Sequence, residues 1–215
     1  MCKIKACLFD LDGVVVDTAK YHYLAWKRLA NSLGFDFTKE DNERLKGVSR
    51  VKSLEILLSI GKLKPSASEK LKMAEEKNNW YVEYISKLDE SEILPGVKSL
   101  LIELRENGIK IALGSASKNS MLILNNLNLI PYFDAIVDGN KVLKAKPDPE
   151  VFLLGAKELN VQPSECVVFE DAKAGIEAAK AANMKAIGIG QKDVLSKADK
   201  VFENLSNAHI NIIKF

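Results

Sequence analysis

The sequence predicts an α/β fold in which an inserted helical domain follows the first strand of a parallel sheet. Residues 4–9 form a short apolar run that ends at an acidic turn, and residues 18–88 show only helical periodicity. After Pro95, short apolar strands alternate with helices, which is typical of βαβ units and a Rossmann-like parallel sheet. Because the first strand has no partner nearby in the sequence, we expect it to pair with the later strands.

The inserted segment is predicted to contain three helices. The first spans residues 21–33, with apolar side chains at steps of four residues, and ends at Gly34, a residue that favours helix C-termini. The second begins after Ser49 as its N-cap and ends at Gly61. The third spans residues 66–88 and opens with a capping box, so the segment is expected to be a small helical bundle.

The rest of the chain is predicted to alternate helices and strands. We expect helices at residues 97–107, 118–128, 149–159 and 172–183, and strands at residues 109–113, 135–137, 166–169, 186–189 and 200–202. We place residues 1–16 and 93–215 in the α/β core domain and residues 17–92 in a helical cap domain.

Composition excludes several classes of function. The 215 residues contain 31 Lys and Arg against 29 Asp and Glu, a balance that does not fit sequence-independent nucleic-acid binding. No segment approaches the ~20 apolar residues that cross a bilayer. Cys2, Cys7 and Cys166 lack the spacing of a metal site or a disulfide framework, and we expect Cys7 and Cys166 to be reduced core residues. We therefore expect a cytoplasmic monomer that binds neither nucleic acid nor a membrane.

Four carboxylates follow two strands of the predicted sheet. Asp10 and Asp12 follow the first strand, and Glu170 and Asp171 follow the strand at residues 166–169. Because the carboxyl ends of parallel strands form one ligand-binding edge, we expect the four to converge there. Taken alone, any one of these acids is more simply explained as a helix N-cap or a solvated turn residue than as a metal ligand. Four together would repel one another, and a hard, oxygen-liganded cation such as Mg²⁺ would relieve that repulsion.

The same edge offers groups for phosphoryl transfer. Asp10 and Asp12 are two residues apart, so their side chains should project to the same side, one as nucleophile on phosphorus and the other as general acid and base. Ser115 and the amides after it are expected to open a helix whose N-terminus binds an anion. Lys146 is expected to supply a positive charge to the phosphoryl oxygens, although alone it is more simply a solvated surface lysine.

In order and context, these motifs resemble the four sequence motifs of the haloacid dehalogenase superfamily. They are residues 10–14, Ser115 after a strand, Lys146 with Pro147, and Glu170 with Asp171. The resemblance implies a HAD-like core with an α-helical cap, with Asp10 as nucleophile and Asp12 as general acid and base. It implies a Mg²⁺ site formed by Asp10, the Asp12 backbone carbonyl, Glu170 and Asp171. It also assigns the transferring phosphate to Ser115, Ala116 and Lys146.

Further segments resemble the β-phosphoglucomutase family. They are residues 9–14, 17–19, 21–22, 25–27, 45–50, 115–119 and 132–136. This resemblance implies the interconversion of β-D-glucose 1-phosphate and glucose 6-phosphate through an aspartyl-phosphate and β-glucose 1,6-bisphosphate. A bisphosphate must bind in two orientations, so a second phosphate site is required. The resemblance places it at Lys46, Gly47, Val48, Ser49, Arg50, Ser117, Lys118 and Asn119.

Three residues of the first cap helix region complete the resemblance. Thr18 and His22 match residues that link hinge motion to placement of the general acid in that family, and Trp26 shares a helix face with His22 and is expected to contact substrate. Without the resemblance, His22 is more simply explained as an ordinary surface or core histidine. Likewise, Ser49 is more simply a helix cap beside a solvated Arg50.

The sequence departs from the family's pattern at two positions. Ala172 stands where the family often has Ser, and Gly114 where Ala is common; neither removes a charge.

Two other functions are considered. A sugar-phosphate phosphatase, in which water accepts the phosphate of Asp10, uses the same chemistry. A catalytically silent phosphosugar-binding protein is the third hypothesis, and the intact carboxylates argue against it.

Overall fold

A computed structural model of the chain describes residues 4–45 and 48–215. The chain divides into two compact units, one comprising Met1–Asp17 and Leu88–Phe215 and the other comprising Thr18–Lys87. We call these the core unit and the helical unit.

The core unit contains a six-stranded parallel sheet. Its strands are β1 (Ala6–Phe9), β2 (Lys110–Gly114), β3 (Ala135–Val137), β4 (Cys166–Glu170), β5 (Lys185–Ile189) and β6 (Lys200–Phe202). The strand order is β3-β2-β1-β4-β5-β6, with every neighbouring pair parallel. The predicted α/β class is therefore confirmed, and the first strand does pair with later ones. Phe9 lies beside both Leu113 and Phe169, so β1, β2 and β4 end at the same edge.

The helical unit contains four helices within its described residues. They are α1 (Ala19–Ser32), α2 (Lys39–Glu43), α3 (Arg50–Ile60) and α4 (Ala67–Ile85). Ser49 caps α3 and Ser66 opens α4 in a capping box, as predicted. The short α2 was not predicted; its own capping box joins Thr38 and Asp41. The unit has its own apolar core, formed by Trp26, Leu29, Ala30, Phe37, Leu45, Leu54, Leu57 and Leu58.

Four further helices belong to the core unit within its described residues. They are α5 (Val97–Glu106), α6 (Ser120–Asn126), α7 (Glu150–Glu158) and α8 (Lys173–Ala181). Each lies within the range predicted for it, but α6 begins only at Ser120, which changes the loop after β2. All four residues of β1 are buried, which explains their unbroken apolar character, because a central parallel strand is covered on both faces.

The cysteines of the core unit are free and buried at Cys7 and Cys166, as predicted. Burial raises the pKa of the Cys166 thiol to about 12, so this thiol stays protonated near neutral pH. Cys2 lies outside the described residues. Among residues 4–45 and 48–215, no helix combines the length and the apolar character that a membrane crossing requires.

Candidate active site

Three carboxylates meet at the carboxyl edge of the sheet. Asp10 directly follows β1, Glu170 is the last residue of β4, and Asp171 follows it. Oxygen atoms of these three side chains lie within 4.8 Å of one another. Asp10 is 7% exposed and Glu170 is 1% exposed, so these two carboxylates are largely removed from water, while Asp171 is partly exposed. The sheet register produces this convergence, because β1 and β4 are direct neighbours.

Lys146 bridges two of these carboxylates. Its Nζ donates to Asp10 Oδ1 at 2.5 Å and to Glu170 Oε2 at 2.8 Å. The Lys146 side chain is 6% exposed, and its ammonium lies 4.8 Å from the centre of the Phe152 ring. The structure thus excludes a solvated surface lysine at this position.

The charges of this group shift the pKa values of its members. Burial and the nearby Asp10 carboxylate raise the pKa of Glu170 to about 8, although the Lys146 ammonium opposes the rise. Burial disfavours the Lys146 ammonium, but the two carboxylates outweigh this effect and raise the pKa of Lys146 above its ordinary value. The raised pKa of Glu170 reflects a repulsion among the carboxylates that one lysine does not offset, so the group favours an additional cation. Its donors are carboxylate oxygens, the ligand type that Mg²⁺ prefers.

Two glycines make room for these carboxylates. Gly13 adopts φ +80°, and a Cβ there would overlap the Asp171 carboxylate. A Cβ at Gly175, in the first turn of α8, would overlap the Glu170 carboxylate. Gly175 was not among the predicted site residues. Its signal in the sequence is a glycine placed inside a helix, where it costs about 1 kcal/mol relative to alanine.

Asp12 follows β1 in a tight turn of the backbone. The backbone turns directly after β1, since Leu11 O accepts hydrogen bonds from Val15 N and Val16 N at 2.9 and 3.1 Å. Strand alternation therefore does not extend to Asp12. Among the residues that the structure describes, the metal-competent group of side chains contains Asp10, Glu170 and Asp171. The assigned roles of Asp12, through its backbone carbonyl and as a proton carrier, stay predictions.

The loop after β2 contains five predicted phosphate-binding residues, at 115–119. The expectation that Ser115 opens a helix is wrong, because α6 begins at Ser120. The serine hydroxyls organise the loop instead: Ser117 N donates to Ser115 Oγ at 3.1 Å and Asn119 N donates to Ser117 Oγ at 3.3 Å. Such side-chain bonds compete with helix formation. Ser115 is buried at 1% exposure, while Ala116 and Lys118 are exposed.

A second cluster lies within the helical unit and contains Thr18, His22 and Trp26. Lys77 Nζ, from α4, donates to His22 Nδ1 at 2.8 Å and lies 4.6 Å from the ring centre of Trp26 and 4.7 Å from that of Tyr81. Tyr81 also stacks on His22 with ring centres 4.0 Å apart, and its hydroxyl donates to Thr18 Oγ1 at 3.2 Å. The structure therefore brings the three predicted residues together through two that the sequence analysis missed.

His22 is neutral in this cluster. Burial, the Lys77 ammonium and the Arg50 guanidinium together hold the pKa of His22 well below its ordinary value of 6.5. An ammonium has only donors, so His22 Nδ1 accepts the hydrogen bond from Lys77 and the ring proton resides on Nε2. The imidazole thus has one defined tautomer, with a donor on Nε2.

The remaining predicted residues lie at the start of α3. Ser49 Oγ accepts a hydrogen bond from Lys52 N at 3.4 Å. Ser49 is therefore a helix cap, which was the simpler of its two interpretations. Arg50 is half-buried, and burial lowers its pKa; it is thus less solvated than a plain surface arginine. Val48 is exposed, and Lys46 and Gly47 lie outside the described residues.

Known proteins resemble this chain in sequence and in fold. A model of the haloacid dehalogenase-like hydrolase family matches residues 4–183. The β-phosphoglucomutase of Bacillus subtilis is 44% identical over 98% of this chain and 94% of its own length. A phosphorylated carbohydrates phosphatase of Thermotoga maritima is 36% identical over 86% of this chain and 84% of its own. Among solved structures, a β-phosphoglucomutase from Clostridium difficile superposes with a TM-score of 0.92 at 48% identity, covering 98% of this chain and 95% of that chain.

Proposed function

We propose, since the chain belongs to the haloacid dehalogenase-like hydrolase family, that it is an enzyme interconverting β-D-glucose 1-phosphate and glucose 6-phosphate by Mg²⁺-dependent phosphoryl transfer. The observation that carries this proposal is the 44% identity to the β-phosphoglucomutase of Bacillus subtilis over 98% of the chain. The group of Asp10, Glu170, Asp171 and Lys146 supplies the chemistry.

Asp10 is the proposed nucleophile. Lys146 binds its Oδ1 and so fixes the rotation of the carboxylate, which leaves Oδ2 to attack phosphorus. The new bond joins Asp10 to phosphorus, and the bond between phosphorus and the sugar oxygen breaks. Asp12 gives a proton to the departing sugar oxygen and removes one from the sugar hydroxyl when the phosphate returns.

The Mg²⁺ ion fits the carboxylate group by donor chemistry. Asp10, Glu170 and Asp171 would hold it, together with the Asp12 backbone carbonyl, and when bound it would neutralise charge on the carboxylates and the phosphoryl oxygens. Lys146 adds a further positive charge beside the attacking carboxylate. Ser115 and Ala116 are proposed to hold the phosphate as it transfers, through the loop that follows β2.

A mutase differs from a phosphatase in needing a second phosphate site. We assign it to Arg50 and its neighbours in the helical unit and to residues 117–119 in the core unit. A guanidinium binds phosphate with two parallel hydrogen bonds. The helical unit is proposed to act as the cap that excludes water from the phosphorylated Asp10, and the contact of Thr18 with Tyr81 to couple cap position to Asp12.

The sugar-phosphate phosphatase remains the second candidate. It is favoured by the 36% identity to the phosphorylated carbohydrates phosphatase of Thermotoga maritima. The carboxylate group serves either reaction equally well, because the acceptor alone differs: a sugar hydroxyl for the mutase and water for the phosphatase.

The deciding assay follows two products in one reaction. The protein is incubated with β-glucose 1-phosphate, Mg²⁺ and a trace of glucose 1,6-bisphosphate, and both glucose 6-phosphate and inorganic phosphate are measured. Glucose 6-phosphate with little free phosphate is the expected result. Free phosphate without isomerisation would establish the phosphatase instead.

Replacing Arg50 with Ala separates the two functions within one protein. We expect kcat/KM for the mutase reaction to fall by about 100-fold or more, because a charged hydrogen-bond pair to phosphate is lost. Hydrolysis of p-nitrophenyl phosphate, which has a single phosphate, should change by less than about threefold. The control is Arg44→Ala, which removes an exposed arginine of the same unit. Equal losses in both reactions would argue against a second phosphate site at Arg50.

A further inference from the structure

A buried carboxylate lies in the turn after β3, outside the group around Asp10. Asp138 is only 5% exposed. Its Oδ1 accepts from Asn140 N at 2.9 Å, and its Oδ2 accepts from Asn140 Nδ2 at 3.0 Å. A buried carboxylate requires such partners to offset the loss of hydration. Both partners belong to one residue, so Asp138 fixes the backbone and the side chain of Asn140 together.

The Asn140 amide also contacts the loop of residues 115–119. Its Nδ2 donates to Lys118 O at 3.0 Å. A primary amide nitrogen carries two hydrogens, so one N–H satisfies Asp138 and the other satisfies the Lys118 carbonyl. The buried carboxylate thereby determines the direction in which Asn140 presents its second donor.

Backbone contacts join the same turn to the same loop. Gly139 N donates to Ser117 O at 3.1 Å, and Ser115 N donates to Val137 O at 3.0 Å. The two segments pack so closely that a Cβ at Gly139 would overlap the carbonyl oxygen of Ala116. They leave the sheet side by side, because β2 and β3 are parallel neighbours.

These contacts act on different parts of the loop. Val137 holds the beginning of the loop at Ser115, whereas Gly139 and Asn140 hold its later part at Ser117 and Lys118. Loss of the Asn140 amide would therefore free the Lys118 carbonyl and leave the backbone contacts at Ser115 and Ser117 in place. In the proposed function, the beginning holds the transferring phosphate and the later part holds the second phosphate.

We propose that Asn140, oriented by Asp138, is a positioning residue that sets the affinity for the substrate phosphate remote from Asp10. This inference rests on the proposed function. It extends that function by naming what holds the core side of the second phosphate site in place. Asn140 itself is exposed, so its removal leaves the packed interior intact.

The test measures KM and kcat separately for Asn140→Ala. We expect KM for β-glucose 1,6-bisphosphate to rise about tenfold, the effect of roughly one to two hydrogen bonds. The value of kcat, and hydrolysis of p-nitrophenyl phosphate, should stay within about twofold of the wild type. The matched control is Asn207→Ala, an exposed asparagine of the same unit, which should leave all three quantities unchanged.

Asp138→Asn tests the orienting role of the carboxylate. An amide has one oxygen and one NH₂ group at this position, so it keeps at most one of the two hydrogen bonds from Asn140. A rise in KM in the same direction is expected, with the folded state verified by circular dichroism. A KM unchanged in Asn140→Ala, in a protein that does isomerise its substrate, would overturn this inference alone. An unchanged KM in a folded Asp138→Asn would overturn the part assigned to Asp138. A wild type without isomerase activity would overturn the proposed function and this inference together.

Discussion

The two units of the chain each bury a lysine, and they surround it with different chemistry. Lys146, in the core unit, contacts the carboxylates of Asp10 and Glu170 at 2.5 and 2.8 Å. Lys77, in the helical unit, is 2% exposed; its contacts described above are with the His22 imidazole and the faces of two aromatic rings.

The two lysines illustrate two ways to stabilise a buried ammonium group. In the core unit opposite charges stabilise it, and the pKa of Lys146 rises although burial opposes the charge. In the helical unit a neutral nitrogen and ring faces stabilise it through a hydrogen bond and cation–π attraction. The positive charge then acts on its neighbour, because it helps lower the pKa of His22. The first arrangement favours anion chemistry, whereas the second fixes the protonation state of a histidine.

The largest expected effect comes from removing the nucleophile of the core unit. Asp10→Asn should lower mutase turnover by at least about 10⁴-fold, because a carboxamide does not form the acyl phosphate. Steady-state assays measure the loss, and circular dichroism should show an unchanged fold. The matched control is Asp36→Asn, an exposed aspartate of the helical unit, which should keep wild-type turnover. Undiminished activity in Asp10→Asn would exclude Asp10 as nucleophile.

The next effect compares a buried ion pair with an exposed one. Lys146→Met, measured by urea unfolding without divalent metal, should lower the free energy of unfolding by about 3–5 kcal/mol, because the buried Asp10 carboxylate loses its counter-ion and Glu170 loses a hydrogen-bond donor. Lys98→Met breaks the exposed pair with Glu90, whose atoms are 2.7 Å apart, and should cost less than about 1 kcal/mol. Similar losses in the two variants would contradict the role given to burial around Asp10 and Glu170.

Addition of Mg²⁺ provides a further test of the difference in stability between Lys146→Met and Lys98→Met. The carboxylates left without Lys146 should attract a divalent cation, so saturating Mg²⁺ should restore part of the stability of Lys146→Met. It should leave the difference between Lys98→Met and the wild type unchanged. An absence of any Mg²⁺ effect on unfolding of Lys146→Met would argue against a metal site at Asp10, Glu170 and Asp171.

The smallest effect concerns the helical unit. Lys77→Met removes a positive charge beside His22, so the pKa of His22 should rise toward 6.5, as followed by NMR titration of its ring protons. The chain has two histidines, and His209, in the other unit, gives the reference signal. Stability should change by less than about 2 kcal/mol, because methionine still packs against the rings.

The sign of the pH dependence follows from the lowered pKa of His22. Below pH 6.5 the unfolded chain takes up a proton at this residue and the folded chain does not, so stability falls as the pH decreases through that value. Lys77→Met should show a weaker fall over the same interval, because its folded state accepts the proton more readily. An equal or steeper fall would contradict the account of Lys77 and His22.

The fold was predictable where burial or helix capping produces a recognisable pattern in the sequence. The residues of β1 are apolar without interruption because neighbouring strands and both faces of the sheet cover them, and the helix starts at Ser49 and Ser66 carry local capping signals. The missed helix α2 spans Lys39–Glu43, five polar or charged residues. So short and polar a segment has no apolar periodicity to reveal it.

The site was predictable only as far as topology determines it. Asp10, Glu170 and Asp171 lie at or directly after the ends of two neighbouring strands, so the order of the sheet brings them together. The contact of Lys146 with two of them arises from a loop after β3, and that of Lys77 with His22 from the packing of α4 on α1. Neither contact has a local signal. The predicted helix at Ser115 failed because serine hydroxyls took the backbone amides that a helix would have used.

The central claim is that the phosphate on Asp10 passes to a sugar and not to water. Asp10 is first labelled with ³²P from a small acyl phosphate in the presence of Mg²⁺, and the labelled protein is then mixed with unlabelled β-glucose 1-phosphate. We expect that addition of the sugar accelerates loss of label from the protein, and that the label appears first in glucose 1,6-bisphosphate and then in glucose 6-phosphate. Label released as inorganic phosphate, at one rate with or without the sugar, would contradict it.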